Sequence, residues 1–85
     1  MQLDVDVLTP RKIIFKGKAQ SVIVPGEQGV FEIIPFHKRI LSRLISGALF
    51  IDEERFNIQR GIVKVDQNKV TIVVEESSSP IINGS

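Results

Sequence analysis

His37 is the chain's only histidine, and cysteine is absent. Those two facts remove most catalytic chemistry. A zinc centre needs several imidazole or thiolate ligands, and here no second one exists. Ser42 and Ser46 follow His37 in the chain, but nothing in their spacing points to a nucleophile activated by a base. The carboxylates fall into two groups, Asp4/Asp6 and Asp52/Glu53/Glu54. Paired acids that hydrolyse a bond must converge on one cleft. These alternate along a strand or cap a hairpin, which is the pattern of a solvated surface. No enzyme follows from this inventory, and no cofactor motif accompanies it.

The stretch "PGEQG", Pro25 to Gly29, is the one segment that could be read as a phosphate cradle. A phosphate loop runs G-x-x-x-x-G-K-[ST] from a strand into a helix, so that backbone N–H groups surround the anion. Here Gly29 leads into Val30-Phe31, which is strand sequence, and no Lys-Ser/Thr follows. Gly26 and Gly29 are therefore expected to permit positive φ in a tight turn between two strands. The basic residues also form two groups, Arg11/Lys12/Lys16/Lys18 and Lys38/Arg39/Arg43. The first is read as solvated. The second is denser, and its two readings, a partner contact or the polar side of a short amphipathic helix, stay open on the residues alone.

The elements that position these side chains belong to one domain, because 85 residues leave no room for a second core. A hydrophobic fraction of 42% is too high for a disordered chain. Net charge is only +1, which argues against nucleic-acid binding through bulk electrostatics. All five aromatics are phenylalanine, which suits core filling better than base stacking. Apolar runs reach four residues at most, so no transmembrane helix is expected. The acidic start "MQLDVDVL" is unlike a signal peptide, and the missing cysteines suit a reducing compartment.

Along the chain the hydrophobic period is two almost everywhere, the signature of half-buried strands. "QLDVDVL", "KIIFKG", "AQSVIVPG" and "GVFEIIP" read as the first four. In the last of these Phe31 and Ile33 take one side, and Val30, Glu32 and Ile34 the other. "GALFI" and "RFNIQRG" form a hairpin around "DEE", and "GIVKVD" and "KVTIVVE" a second around "QN". Only "HKRILSRLISG" departs, with Ile40, Leu41, Leu44 and Ile45 spaced for one helical face, so at most a short helical turn is expected near 37–45. The fold class is all-β: a flattened sandwich or barrel of two sheets with about ten short strands. Residues 1–76 make the domain, and the Ser-, Pro- and Gly-containing 77–85 make a flexible tail.

In order, "LDVDVLTP", "IFKGKAQSVIVPGEQGVFEIIPFH", "LSRLISGAL" and "FNIQRGIVKVDQNKVTIVVEE" resemble the β-sandwich domain of the epsilon subunit of F-type ATP synthases. The most specific part is V-x-x-P-G-x-x-G-x-F-x-I-x-P-x-H, from Val22 to His37. Leu44, Gly47 and the Gly61-x-Val63-x-Val65 motif follow at the expected distances. The resemblance implies a ten-stranded sandwich that binds the gamma subunit in the rotor's central stalk and rests on the polar loops of the c-ring. It couples proton or sodium-ion flow to ATP synthesis without catalysing anything itself. The place implied is peripheral, on the cytoplasmic face of the bacterial inner membrane. The competing class is a small β-sandwich adaptor of another complex, and a small enzyme comes third.

Carried over position by position, the resemblance makes Pro25, Gly26, Glu27, Gln28, Gly29, Val30, Glu32, Phe36 and His37 candidates for contact with the c-ring or the foot of gamma. Lys38, Arg39 and Arg43 join them as cations able to pair with a partner's carboxylate or an anionic lipid headgroup. Val22, Val24, Ile34 and Leu8 are the candidates for an apolar gamma-facing patch. Three departures from the family pattern stand out: Glu32 replaces a usual glycine, Val30 a frequent acid, and Phe36-His37-Lys38-Arg39 the usual Gly-His-Ala-Pro. Typical members continue into a two-helix C-terminal domain that can inhibit hydrolysis and in some bacteria binds ATP. This sequence ends soon after its last strand, which is expected of either a naturally short subunit, the form Met1 at its start favours, or a domain fragment. This polypeptide is expected neither to inhibit by inserting helices nor to bind ATP.

Overall fold

Alternating apolar residues become strands when every second side chain can be buried, and here they all find one core. A computed structural model describes residues 1–76 of the chain. Eight strands follow one another: β1 (Leu3–Leu8), β2 (Ile13–Ala19), β3 (Val22–Gly26), β4 (Gly29–Ile33), β5 (Ile40–Leu44), β6 (Gly47–Ile51), β7 (Glu54–Asp66) and β8 (Lys69–Glu76). They pair in the order β2-β1-β8-β7-β5-β3-β4, and β6 bridges β3 and β7. The pairings β3–β6–β7–β5–β3 close a ring. The sheet thus folds back over its own apolar face and buries it.

The strand count is lower than the expected ten because β7 is one strand of 13 residues. Its first part pairs with β6, and its second part with β5 and β8. A register shift between Ile58 and Arg60 lets it bend from one partnership into the next. Gly61 sits just past that bend. A Cβ there would stand 2.4 Å from the Val73 carbonyl oxygen, so only glycine lets β7 approach β8 this closely.

Leu3, Val5 and Val7 of β1 and Val70, Ile72 and Val74 of β8 supply the centre of the core. Val22 and Val24 of β3, Leu49 and Ile51 of β6, and Val63 and Val65 of β7 close over them. Burying each such side chain contributes roughly 1.5–3 kcal/mol, the main term holding the fold. Phe15 and Phe56 meet edge to face at the rim, with ring centroids 6.1 Å apart. The expected outward placement of Val22 and Val24 is therefore wrong. Both are fully buried, because the closed sheet turns that face of β3 onto the shared core. Alternation in "KIIFKG" would put Ile13 and Phe15 on one side, but the irregularity between Val7 and Leu8 turns Ile13 outward while Phe15 packs on the core.

The segment expected to make a helical turn is instead β5. A run this short cannot offset the cost of nucleating a helix, whereas pairing along β7 from Ile40↔Val65 to Leu44↔Gly61 satisfies its backbone. Period two then decides the faces. Leu44 is buried and Ile40 packs against the core, while Leu41, expected inside, points out and is 73% exposed.

Candidate functional site: the outward sheet face and its two ends

The strand registers line up the outward side chains of β2, β1, β8, β7 and β5 in rows. One row runs Lys18–Asp4–Lys69–Asp66, and the next Lys16–Asp6–Thr71–Lys64–Leu41. Both are knitted by ion pairs: Lys18–Asp4 at 2.7 Å, Lys69–Asp6 at 2.9 Å and Lys16–Asp6 at 3.4 Å. The hydrogen bond from Lys18 holds the Asp4 carboxyl below its ordinary range, and that from Lys69 does the same for Asp6. So Asp4 and Asp6 lie on the solvated face expected of them, and their charge is answered locally.

The third row differs in kind. It reads Ile13–Leu8–Val73–Ile62–Arg43. Ile13, Val73 and Ile62 are exposed and Leu8 is partly so. Four apolar side chains across adjacent strands, about 5 Å apart, form a stripe of about 15 Å on an otherwise charged face. Beyond it Ile62 and Val73 run into a groove of 670 Å³, walled by Ile45, Arg60 and Gly61 with Pro10 and Glu27 at the rim. Of the expected apolar patch, Leu8 lies in this stripe, and Ile34 is exposed but sits elsewhere, past the end of β4. The sequence does carry a trace of the stripe. Leu8 follows Val7, Ile62 precedes Val63, and Val73 precedes Val74, so each pair breaks the alternation by adding an apolar residue on the outer side.

The candidate contact residues do not form one site. They divide between the two ends of β4, about 13 Å apart across five extended residues. At one end Pro25, Gly26, Glu27, Gln28, Gly29 and Val30 make the β3–β4 connection. It is tied to the β5 end by bonds from Ile45 N to the Pro25 carbonyl (2.9 Å) and Glu27 N to the Arg43 carbonyl (3.2 Å). Arg43 and Glu27 wall the large groove and also a second one of 570 Å³ beneath the turn, which reaches Leu41 and the exposed Val30. Of the two glycines, only Gly29 adopts positive φ, at 129°. Gly26 is required for a different reason: a Cβ there would meet the Phe31 ring at 2.7 Å and the Gly29 carbonyl oxygen at 2.9 Å.

At the other end lie Phe36, His37, Lys38 and Arg39. The backbone turns back on itself through His37 N bonded to the Ile34 carbonyl at 3.1 Å. Arg39 pairs with Asp66 at 3.5 Å, and His37 Nδ1 lies 2.8 Å from the Lys38 carbonyl oxygen. The expected cluster of three cations is thus dispersed. Arg39 and Arg43 share a face as foreseen, but extended backbone separates them by about 13 Å where a helix would hold them within about 6 Å. Glu32 belongs to neither end. Its carboxylate accepts a 2.5 Å bond from Ser21 Oγ, next to where the Asp52 carboxylate receives the Gln20 and Ser21 amides. Asn68, which the sequence reading passed over as part of a turn, is the other residue of note. Its side-chain oxygen accepts the Phe36 amide at 2.6 Å.

Among the described residues no three His, Asp or Glu side chains converge to hold a metal ion. Among the same described residues no helix is long and apolar enough to cross a membrane. What the face offers chemically is recognition: an apolar stripe framed by charge, with a turn at each end.

Comparison with known proteins gives this surface its context. The family model of the ATP synthase delta/epsilon chain β-sandwich domain matches residues 2–79. The ATP synthase epsilon chain of Sulfurimonas denitrificans is 34% identical over 79 residues, covering 87% of this chain and 61% of that one. The chain therefore spans about three-fifths of that relative's length. The epsilon chain of Chlorobium limicola is 36% identical over 78 residues, and there the match covers 86% of this chain and 89% of the relative. Among solved structures, the central stalk and c-ring of the Tetrahymena thermophila mitochondrial ATP synthase contains a similar fold. Its TM-score is 0.75 at 18% identity, over 89% of this chain and 65% of that one. A chain of the Euglena gracilis mitochondrial ATP synthase gives 0.81 at 17% identity, over 88% and 51%. An all-β sheet closed on one core, a match along nearly its whole described length and relatives above 30% identity lead to one conclusion: the chain belongs to the ATP synthase delta/epsilon-chain β-sandwich family.

Proposed function

We propose that the chain is a non-catalytic central-stalk subunit of an F-type ATP synthase, joining the gamma subunit to the c-ring so that ion flow is coupled to ATP synthesis. The carrying observation is the exposed row Ile13–Leu8–Val73–Ile62 running into the groove beside Ile45. A rotor joint must transmit torque without slipping, and a firm protein joint has an apolar centre within a charged rim. The row supplies that centre, and the Asp4, Asp6, Lys16, Lys18 and Lys69 network supplies the rim. In this reading the row faces gamma. The Pro25–Val30 turn, with exposed Val30, faces the polar c-ring loops. The chain is then held at the membrane peripherally, through the complex. The likeness in fold to a chain of a central stalk and c-ring assembly supports the same architecture.

Gel filtration of the 85-residue chain with the gamma subunit of the same organism tests the proposal. Co-elution at micromolar concentration is expected, and Ile62→Glu with Val73→Lys, which alternates charge beside Arg43, should abolish it. Both positions are exposed, so the double variant should retain its thermal midpoint. Failure of the parent chain to co-elute would overturn the assignment.

A further inference from the structure

Phe36 occupies a position that its backbone assigns to glycine. The bond from His37 N to the Ile34 carbonyl closes a turn with Pro35 second and Phe36 third, where φ is 69°. That is a type II turn, whose third residue needs positive φ and is normally glycine or asparagine. A bulky side chain there strains the backbone. The fold gives Phe36 no compensating burial, since the ring is 73% exposed. Strain that packing does not repay marks a residue kept for contact with something else.

The neighbouring structure holds the strain in place. The Asn68 side chain accepts the Phe36 amide at 2.6 Å, and the Asn68 carbonyl accepts the Asp4 amide at 2.8 Å. Asn68 itself has φ 63° in the tight β7–β8 turn, beside Gln67 at 51°. Phe36 is thus clamped to the rigid end of the very strands whose outer face carries the apolar row. Ile34 at the start of the turn is also exposed, and Lys38 and Arg39 follow as exposed cations.

We infer that Phe36 is an anchor for the gamma subunit, inserting its ring into an apolar socket rimmed by carboxylates, and that Asn68 is its positioning residue. This rests on the central-stalk reading. A fixed aromatic loses little freedom on binding, which is why such residues dominate interfaces. The cation at Lys38 sets the sign of the rim, Arg39 being paired with Asp66. The apolar row lies about 13 Å further along the same two strands, across the charged rows. A single partner that reaches both it and Phe36 along β7 and β8 is a protein surface rather than a lipid one.

The test measures thermal midpoint and gamma affinity for the full chain and for Phe36→Gly, Phe36→Asn and Asn68→Ala. Both Phe36 variants should keep or raise the midpoint, because each residue accepts positive φ, while binding gamma at least tenfold more weakly. Asn68→Ala should weaken binding in the same direction. A parent chain that does not bind gamma overturns the stalk reading itself. A parent that binds no better than the Phe36 variants overturns only the anchor. A lowered midpoint in both Phe36 variants overturns the strain argument. Binding of the parent to anionic phosphatidylserine vesicles, lost in Phe36→Gly, would move the ring to a membrane surface and overturn the protein socket.

Discussion

The turns at the two ends of β4 solve a similar problem in opposite ways. Between β3 and β4 the chain uses glycine at each constrained position. Gly29 takes the positive φ, and Gly26 leaves room for the Phe31 ring. After β4 the backbone again demands positive φ, and the chain places an exposed phenylalanine there. The first turn is optimised for folding: each residue fits its backbone, and the segment is bonded to the β5 end through Pro25 and Arg43. The second accepts a local penalty and needs the Asn68 side chain to hold it. Neighbours in sequence have thus been shaped by different demands, one by the core and one by what lies outside it.

The largest effect should come from breaking the well-fitted turn. Gly26→Val places a branched side chain against a ring and a backbone oxygen under 3 Å away. It should cost about 1–3 kcal/mol as overpacking, more if the β3–β4 hairpin cannot shift. Chemical denaturation would show this as a lowered midpoint at unchanged slope. Equal stability of variant and parent would mean the turn has slack that the geometry does not show.

Next comes the clamp on the strained turn. Asn68→Ala removes the acceptor for the Phe36 amide and puts a Cβ-bearing residue without local side-chain bonding at φ 63°. A loss of about 1–2 kcal/mol is expected. Asn68→Asp, which keeps the acceptor and tolerates the same backbone, should recover most of it. Phe36→Gly should act in the opposite sense, raising stability by up to about 1 kcal/mol once the greater unfolded-state freedom of glycine is offset. Opposite signs for Gly26→Val and Phe36→Gly, measured in one denaturation series, would make the contrast between the turns quantitative.

Smaller effects belong to the charged face that joins the two ends. Asp4 and Asp6 titrate below the ordinary aspartate value of 3.8 in the folded state because Lys18 and Lys69 hydrogen-bond their charged forms. Their contribution is therefore fully present above that value and is lost as pH falls through the lowered folded-state values. Asp4→Asn with Asp6→Asn should flatten stability against pH below about 4 by lowering the neutral plateau slightly towards the acid value, since exposed pairs contribute little. Smallest of all is the separation of the two arginines. Arg39→Ala and Arg43→Ala should each change stability by less than about 1 kcal/mol, and the double variant should equal their sum, because sites about 13 Å apart do not couple. Any clear non-additivity would restore the single basic cluster that the strand geometry disperses.

Much of this molecule was legible in its sequence. Alternation in "LDVDVL", "IVKV" and "KVTIVV" assigns Leu3, Val5, Val63, Val65, Val70 and Ile72 to the core, because side chains on a strand alternate whatever the strand pairs with. The same rule puts Val30, Glu32 and Ile34 outside and Ile33 inside. Turn chemistry is equally local, so the bends at Glu27–Gln28 and Gln67–Asn68 could be placed from their residues alone. The ordered Val22–His37 motif carried the family likeness.

Pairing is not local, and what depended on it had to wait for the tertiary structure. Whether Ile40–Leu44 would coil or extend was decided by the free edge of β7, which bonds its backbone from Val65 to Gly61. Period two could say that Val22 and Val24 share a face with each other. It could not say that the sheet would close and turn that face onto the shared core. Register brought Ile13, Leu8, Val73 and Ile62 into one row from positions up to 65 residues apart at the β1–β8 pairing, Leu8↔Val73. The strain at Phe36 is the clearest case: its φ follows from a turn closed by Ile34 and a clamp from Asn68, 32 residues away in sequence. Backbone preferences act over a few residues and can be read in order, whereas a shared face exists only once distant strands have chosen their partners.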